Sequence, residues 1–199
     1  MTSDLPFRIA VVVIFSLSVL VTLYFRIQAA SSGEKISRKD EGFRFALILR
    51  TLGLGLFVST VVWVISPQSL EWAAIPLGPG VRWTGAVTGV ACSLLMFWTL
   101  RSLGKNLTDT VVTRTTATLI TTGPYRWVRH PFYVTAALLM ASVTILAANL
   151  LIGTISFFVL LMLAIRTPKE EDKLIEAFGQ SYRDYTATTG RFFPRFRGH

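Results

Sequence analysis

The residues most able to do chemistry lie between positions 123 and 133, in the sequence GPYRWVRHPFY. This stretch combines Tyr125, Arg129, His130 and Tyr133, and it ends where a run of 32 uncharged residues begins at Val134. Hydrogen-bonding and charged groups at the edge of a membrane are costly unless they have partners. Their concentration at this boundary predicts a binding or catalytic site.

A second polar group follows the same run and contains Arg166 and Glu170. If the run folds back on itself, these residues reach the level of the first group and surround one cavity with it. Such a cavity suits a zwitterionic ligand that bears a purine, because Arg binds a carboxylate and Glu binds ribose hydroxyls or an ammonium group. By contrast, we expect Glu171, Asp172 and Glu176 to form a solvated helix face.

Each of these residues also has a simpler interpretation when it is taken singly. His130 could precede a helix that begins with Pro131 at its first position. Tyr125 and Tyr133 could belong to the aromatic belt of a membrane protein, and Arg129 could be an anchor that extends to the interface. The functional interpretation is favoured because all of them occur together.

Composition excludes several other classes of function. The chain is 52% hydrophobic and only 16% charged, whereas a soluble domain carries about 25% charge. It is therefore predicted to be a membrane protein with a single domain over residues 1–199. No nucleic-acid-binding motif accompanies the net charge of +9, so we expect no nucleic-acid partner. One cysteine and two histidines, of which His199 is terminal, are too few for a metal site.

Four apolar stretches predict the membrane spans. The first three run from about Phe7 to Phe25, Phe45 to Ile65 and Trp83 to Leu100. The fourth, from Phe132 to Ile165, would form one helix about 51 Å long, far more than a bilayer needs. A turn near Asn149, the only amide in that run, would divide it into two short helices. The predicted fold is therefore all-α, with five transmembrane helices, of which the last two form a tight helical hairpin.

The distribution of basic residues predicts the orientation. With five spans, residues 26–50, residues 101–131 and the tail after 165 share one side and contain 18 of the 20 basic residues. The positive-inside rule places that side in the cytoplasm and the N-terminus outside. Residues 1–100 then supply three N-terminal spans, and residues 101–199 supply the catalytic region with a cytoplasmic pocket and tail. The membrane would be the plasma or inner membrane if the source is bacterial.

Two cytoplasmic elements should complete the site. Residues 101–122 are rich in Thr and other β-branched residues, which favours extended chain or short strands. After the hairpin, Thr167 is predicted to be an N-cap, with Pro168 at the first helical position and Glu170 at the third. They would begin an interfacial C-terminal helix that ends before Gly179.

The polar residues also match a known pattern. The motif G-x-Y-x-x-x-R-H-P-x-Y over residues 123–133 is followed by R-x-x-x-E-E over 166–171 and by F-G-x-x-Y over 178–182. Together these motifs resemble the isoprenylcysteine carboxyl methyltransferase family, whose wider group includes membrane phospholipid N-methyltransferases. The C-terminal half resembles the family closely, and the first three spans resemble it only in hydropathy.

The resemblance implies an integral membrane enzyme that uses S-adenosylmethionine. Arg166 would be a catalytic residue that binds the carboxylate of the methyl acceptor, and Glu170 would be both catalytic and cofactor-binding. Relatives often have His where this chain has Ala117, so no side-chain contact is expected there. The other residues that the resemblance implies in cofactor binding are Thr118, Leu119, Ile120, Tyr125, His130, Pro131, Phe132 and Tyr133.

The implied reaction is direct methyl transfer to the carboxylate of a lipophilic, isoprenylcysteine-like substrate. A carboxylate is already ionised at neutral pH, so the reaction needs no strong general base. The partners would be membrane lipid and a lipophilic small molecule or prenylated substrate from the bilayer. The oligomeric state is left open by the sequence.

Three alternatives remain open from the sequence. A phospholipid or another lipophilic amine or thiol could be the acceptor; with an amine, Glu170 or Glu171 would serve as a base and Arg166 would bind phosphate. The chain could be a non-catalytic membrane binding protein that keeps the fold. A sterol-type membrane reductase is the third alternative, but it would need an NADPH site and more spans.

Overall fold

The structure, a computed structural model, describes residues 4–30, 43–104 and 118–195. Within these ranges the chain forms α-helices and two short 3₁₀ helices, Pro67–Ala73 and Gly123–Arg126. The predicted all-helical class is confirmed. The α-helices are α1 (Leu5–Ala30), α2 (Phe43–Ile65), α3 (Pro79–Leu103), α4 (Pro131–Ala147), α5 (Leu150–Phe178) and α6 (Gln180–Thr188).

Four of these helices have the length and composition of membrane spans. They are α1, α2, α3 and α5, while α4 is a shorter apolar helix of 17 residues. Large apolar side chains such as Leu20, Leu54 and Phe157 are mostly exposed on the outer surface of the bundle. Helices whose apolar side chains face outward suit a lipid environment, where the backbone must satisfy its own hydrogen bonds. These features and the family resemblance indicate an integral membrane protein.

Close packing of α3 on α4 depends on small residues. Ser142 on α4 donates a hydrogen bond of 2.6 Å to the carbonyl oxygen of Gly85 on α3. One turn further along α3, a Cβ atom on Gly89 would lie 2.5 Å from Ser142 Oγ and 2.6 Å from Ile14 Cδ1. Small residues that let helix backbones approach are typical of membrane helix interfaces. They place α4 at the centre, in contact with α1, α3 and α5.

The turn predicted near Asn149 is confirmed. Ala148 adopts a left-handed conformation with φ of +47°, and Asn149 caps α5 by accepting a hydrogen bond of 3.2 Å from the Ile152 amide. The Asn149 amide also donates to the carbonyl oxygen of Leu70 at 2.9 Å. The buried Asn149 side chain therefore caps the start of α5 and holds the first 3₁₀ helix against the turn.

After this turn, α4 and α5 lie side by side in opposite directions. Gly153 lies against Thr144 close to the turn, and Tyr133 contacts Glu170 at the other end of the pair. The two polar groups at the ends of the apolar run are therefore brought together.

Basic side chains at the turn end of the bundle have hydrogen-bond partners within the protein. The Arg82 guanidinium donates to the Leu146 carbonyl oxygen at 2.9 Å and to the Asp4 carboxylate at 2.6 Å. It also lies over the Phe7 ring, 3.8 Å from the centroid. Arg8 donates to the Val64 carbonyl oxygen at 2.6 Å. Because of these contacts, both basic residues of this end serve the packing of α1.

The predicted start of an interfacial helix at Thr167 is wrong. α5 continues from Leu150 to Phe178, with Pro168 inside it. The Thr167 side chain is fully buried, and its hydroxyl bonds back to the Leu163 carbonyl oxygen at 2.9 Å instead of capping a new helix. A proline removes one N–H donor from a helix, and the Thr167 hydroxyl supplies a donor to the preceding turn. Glu170 is accordingly in the interior of α5 and is not the third residue of a capping box.

The C-terminal end of α5 is confirmed. Gly179 follows Phe178 with φ of +56°, the left-handed region that favours glycine. A separate helix, α6, then begins at Gln180, and the sequence interpretation did not predict it.

The predicted extended chain over residues 101–122 lies largely outside the described residues. Of its first residues, 101–103 form the last turn of α3, so extended chain is wrong there. Residues 118–121 have no helix or strand.

Candidate functional site

The loop before α4 presents the first group of candidate residues. Gly123 has φ of +60°, and a Cβ atom there would lie 2.5 Å from Ser102 Oγ at the end of α3. The glycine thus lets the chain turn closely against α3 and enter the 3₁₀ helix that contains Tyr125. Tyr125 is buried, and burial raises the pKa of its hydroxyl, with further contributions from Tyr185 and Glu170.

A hydrogen bond joins the two motifs across α4 and α5. The Tyr133 hydroxyl, in the first turn of α4, donates to the Glu170 carboxylate at 2.6 Å. Glu170 is half-buried, and a carboxylate has more acceptor positions than one donor fills. Two of the residues predicted to bind the cofactor are therefore in direct contact, although 37 positions separate them.

Glu171 is the centre of a buried ionic cluster, so the prediction of a solvated position is wrong. Its Oε1 atom accepts from Arg129 Nε at 2.8 Å and lies 3.2 Å from His130 Nε2. Its Oε2 atom accepts from Arg191 in the C-terminal tail. The expectation of solvent exposure is correct for Asp172 and Glu176, which are exposed on the opposite face of α5.

The donors around Glu171 set its charge. Burial opposes ionisation, but the hydrogen bonds from His130, Arg191 and Arg129 prevail and hold the pKa of Glu171 well below its usual range. The same contact raises the pKa of Arg191. Glu171 lies beyond the apolar part of α5, which ends at Ile165. It is thus a fixed negative charge that only accepts hydrogen bonds.

The C-terminal segment closes over the loop from 128 to 130. The Arg129 amide donates to the Gly190 carbonyl oxygen at 2.8 Å, and the His130 amide donates to the Arg191 carbonyl oxygen at 3.1 Å. The Arg129 side chain also donates to the Thr189 carbonyl oxygen. Arg129 therefore serves as an internal tie between loop, helix and tail, and its side chain is only 10% exposed.

His130 is buried within this arrangement. It precedes α4 without capping it by a side-chain hydrogen bond. Its ring lies parallel to the Tyr133 ring, with 5.5 Å between centroids, and contacts the Phe192 ring at 5.8 Å. The simple interpretation as a helix-start residue thus accounts for its backbone but not for its side chain.

The other candidate residues have different surroundings. Pro131 begins α4, as predicted, and its neighbour Phe132 packs against a small core formed by Phe25, Met96 and Leu100. Arg166 is half-buried, one helical turn before Glu170. In the irregular chain before the 3₁₀ helix, Thr118 is exposed, and Leu119 and Ile120 are half-buried. Over the described ranges, no cluster of three or more His, Cys, Asp or Glu residues could hold a metal ion.

The sequence did not predict the ionic cluster of Glu171 with Arg129, His130 and Arg191. One signal was available for Glu171, which lies four residues after Thr167, a residue whose side chain is fully buried. On a continuous helix, positions four apart share a face, but the predicted helix start at Thr167 concealed this relationship. Arg191 carries no comparable signal, because its contact depends on how the tail folds.

Comparison with known proteins supports the resemblance. Residues 85–176 match the model of the isoprenylcysteine carboxyl methyltransferase (ICMT) family. A protein-S-isoprenylcysteine O-methyltransferase of Dictyostelium discoideum is 32% identical over 137 residues, covering 63% of this chain and 55% of the relative. The enzyme of the same name from Mus musculus is 33% identical over 84 residues, covering 42% of this chain and 30% of the relative. The chain thus spans about half, or less, of the length of these curated relatives.

A solved structure shares the fold. It is described as the eukaryotic intramembrane Ras methyltransferase ICMT without a monobody, and it superposes with a TM-score of 0.54 at 20% identity. The superposition covers 96% of this chain and 69% of that chain. Together, the match over residues 85–176 and the shared fold confirm that this chain resembles the isoprenylcysteine carboxyl methyltransferase family.

Proposed function

We propose that this protein is an S-adenosylmethionine-dependent methyltransferase that acts on the carboxylate of a lipophilic, isoprenylcysteine-like substrate within the membrane. The observation that carries this proposal is the hydrogen bond of 2.6 Å between Tyr133 and Glu170. It unites the two motifs of the family resemblance in one place, at the end of the bundle opposite the Asn149 turn. The choice of substrate class is supported by sequence similarity to curated relatives that are named protein-S-isoprenylcysteine O-methyltransferase.

The residues present fit S-adenosylmethionine in their chemistry. Glu170 has free acceptor capacity beyond the bond from Tyr133, which suits ribose hydroxyls or an ammonium group. The Tyr133 ring lies beside this carboxylate and parallel to the His130 ring, and an aromatic ring attracts a cation. When bound, the cofactor would supply an electrophilic methyl group. Glu170, Tyr133, His130 and Tyr125 would hold and orient it, and the remaining predicted contacts are Thr118 to Ile120 and Pro131 to Phe132.

The acceptor would be oriented by Arg166. One turn of α5 separates Arg166 from Glu170, so the two side chains emerge on the same side of the helix. A guanidinium is suited to a carboxylate because it offers paired donors. The chain would contribute mainly positioning and the exclusion of water, since a carboxylate acceptor requires no deprotonation.

The cluster around Glu171 argues against one version of amine methylation. An amine acceptor must lose a proton, and Glu171 was one of two candidate bases. Because Arg129, Arg191 and His130 already occupy its oxygens and keep its pKa low, Glu171 is a poor base. Glu170 is then the remaining candidate base for an amine acceptor, whereas a carboxylate acceptor needs none.

We further propose that α4 crosses the membrane as a short fifth span and pairs with α5 as a hairpin. Arg8 and Arg82 lie at the turn end of the bundle, whereas Arg129, Arg166 and Arg191 lie at the other end. The positive-inside rule then places the candidate site in the cytoplasm and the N-terminus outside.

Orientation can be tested with single cysteines in a Cys92→Ser background. Ser69→Cys and Ser181→Cys both introduce exposed thiols, one at each end of the bundle. In intact cells, a membrane-impermeant maleimide should label the first and should label the second only after permeabilisation. The reverse pattern would refute the orientation.

Cofactor binding is tested by calorimetry with S-adenosylhomocysteine on protein purified in detergent. Wild type should bind, and Glu170→Gln should weaken binding about 10- to 100-fold, the cost of losing hydrogen bonds to a charged group. Glu176→Gln is the matched control, because Glu176 is exposed on the same helix and pairs with Lys173. Absence of binding by wild type would refute the proposal.

Methyl transfer is tested with a prenylated cysteine and with a phosphatidylethanolamine as acceptors. Transfer to the first supports the proposed substrate class, and transfer to the second supports the phospholipid alternative. Absence of transfer to both acceptors and to every component of a lipid extract supports a non-catalytic binder. Arg166→Ala should lower turnover much more than affinity for S-adenosylhomocysteine. Arg183→Ala, which removes an exposed guanidinium on α6, should change neither.

A further inference from the structure

The C-terminal segment from Thr189 to Phe192 reaches the centre of the proposed site. Gly190 and Val128 form a short parallel bridge, and Tyr185 on α6 donates a hydrogen bond to the Tyr125 carbonyl oxygen at 2.5 Å. Backbone and side-chain contacts thus attach the tail to the loop that carries the first motif. The tail lies outside all three sequence motifs, and the family match over residues 85–176 ends before it.

The Glu171 carboxylate connects this tail to His130. Arg191 binds one oxygen of the carboxylate, while Arg129 and His130 share the other at 2.8 Å and 3.2 Å. Two guanidinium groups keep the carboxylate ionised, so it can only accept hydrogen bonds. The His130 Nε2 atom must therefore carry the proton of that bond, and the orientation of the ring is determined by it.

The His130 ring in turn packs against two aromatic rings. The Tyr133 ring lies parallel to it, with 5.5 Å between the ring centroids. The ring of Phe192, the residue after Arg191, is tilted against it at a centroid distance of 5.8 Å. Tyr133 then donates to Glu170 at 2.6 Å. A continuous chain of contacts therefore leads from Arg191 through Glu171, His130 and Tyr133 to Glu170.

We infer that Arg191 and Glu171 are positioning residues, which hold His130 and, through it, Tyr133 in the orientation that the cofactor site requires. This inference rests on the proposed function, and it assigns the C-terminal tail a part in the site. Neither residue needs to touch the cofactor, because both act through the His130 ring.

Arg191 is the better residue to change. Its side chain is 43% exposed, so its removal should leave the bundle folded. Arg129, by contrast, also holds the backbone of the tail. Arg191→Ala should weaken the binding of S-adenosylhomocysteine about tenfold, and Arg191→Lys should recover most of the affinity, because a single contact to Glu171 Oε2 needs only one charged donor.

The matched control is Arg195→Ala. Arg195 lies in the same tail and donates to the carbonyl oxygens of Thr186 and Ala187 at 3.2 Å and 2.8 Å, away from Glu171. Its removal should change affinity by less than about twofold, the level of an exposed contact. Melting temperatures of all variants separate lost positioning from lost folding.

A double-mutant cycle tests whether Arg191 acts through Glu171. Glu171→Gln should weaken binding about 10- to 100-fold, and adding Arg191→Ala to it should cause no further loss. The inference is overturned if the two losses add, if Arg191→Ala and Arg195→Ala have equal effects, or if Arg191→Lys restores nothing while the melting temperature falls.

A spectroscopic measurement keeps this inference separate from the proposed function. In a His199→Ala background, His130 is the only histidine, and ¹⁵N labelling should reveal a slowly exchanging imidazole N–H signal. The signal should persist in Arg195→Ala and be lost or broadened in Arg191→Ala. If wild type fails to bind S-adenosylhomocysteine, the proposed function fails, yet this signal still decides whether Arg191 holds His130. A signal unchanged by Arg191→Ala overturns the inference.

Discussion

Tyr133 donates a hydrogen bond of 2.6 Å to Glu170 across the facing ends of α4 and α5. The contact joins residues from two motifs that a long apolar run separates in the sequence. Under the proposed function this contact orients the Glu170 carboxylate for the cofactor, which makes Tyr133 the first residue to test.

Tyr133→Phe should weaken the binding of S-adenosylhomocysteine about tenfold, because Glu170 loses the donor that orients it. The ring, and with it the stacking on His130, is retained, so the melting temperature should change little. Calorimetry measures the affinity. Tyr24→Phe is the control, since Tyr24 is 60% exposed on α1. Equal affinities for wild type and Tyr133→Phe would show that this hydroxyl does not orient the site.

Gly89→Ala should destabilise the helix bundle by about 1–3 kcal/mol, the usual cost of overpacking a tight interface. The new Cβ atom would lie 2.5 Å from Ser142 Oγ and 2.6 Å from Ile14 Cδ1, so α1 or α4 must shift. Thermal unfolding in detergent measures the loss. Gly53→Ala is matched to it, because nothing lies within 4 Å of a Cβ atom at Gly53. A similar loss in both variants would argue against close packing of α3 on α4.

Asn149→Ala should destabilise the turn between α4 and α5 by about 1–3 kcal/mol. The variant loses the cap on the Ile152 amide and leaves the buried Leu70 carbonyl oxygen without its donor. Thermal unfolding again measures the effect, with the exposed Gln68→Ala on the neighbouring 3₁₀ helix as the control. An unchanged melting temperature for Asn149→Ala would mean that the turn forms without its amide.

Ionisation of Tyr185 should lower the stability of the fold as the pH rises into the alkaline range. Burial raises the pKa of Tyr185 to about 12 from the model-peptide value of 10.0, and its neutral hydroxyl donates to the Tyr125 carbonyl oxygen. A raised folded-state pKa means that the unfolded chain ionises first as pH rises. The contribution of Tyr185 to the free energy of unfolding is thus complete below pH 10 and is lost progressively towards pH 12.

The comparison of wild type with Tyr185→Phe isolates this contribution from those of Tyr125 and Tyr182, whose pKa values burial also raises. Melting temperatures between pH 9 and 12 should converge for the two proteins as pH rises. Parallel curves over that range would contradict the assignment, and Tyr24→Phe should run parallel to wild type.

Features that depend on neighbouring residues could be predicted from the sequence alone. Apolar length predicted the helices of the bundle, since about 20 residues must cover the hydrocarbon. Asn149 predicted the turn, Pro131 the start of α4 and Gly179 the end of α5, because each has a local conformational preference. The motif residues Tyr133 and Glu170 were predicted to meet, and they do.

Features that depend on distant partners could be seen only in the folded protein. Thr167 and Pro168 have the pattern of a helix start, yet α5 passes through them, because packing outweighs a local preference. Glu171 lies in a charged stretch that predicts a solvated helix face. In the structure it is buried and paired with Arg129 and Arg191, which are 42 and 20 residues away. A charge is buried only where such partners surround it, and the arrangement of those partners arises from the folding of the tail over the bundle.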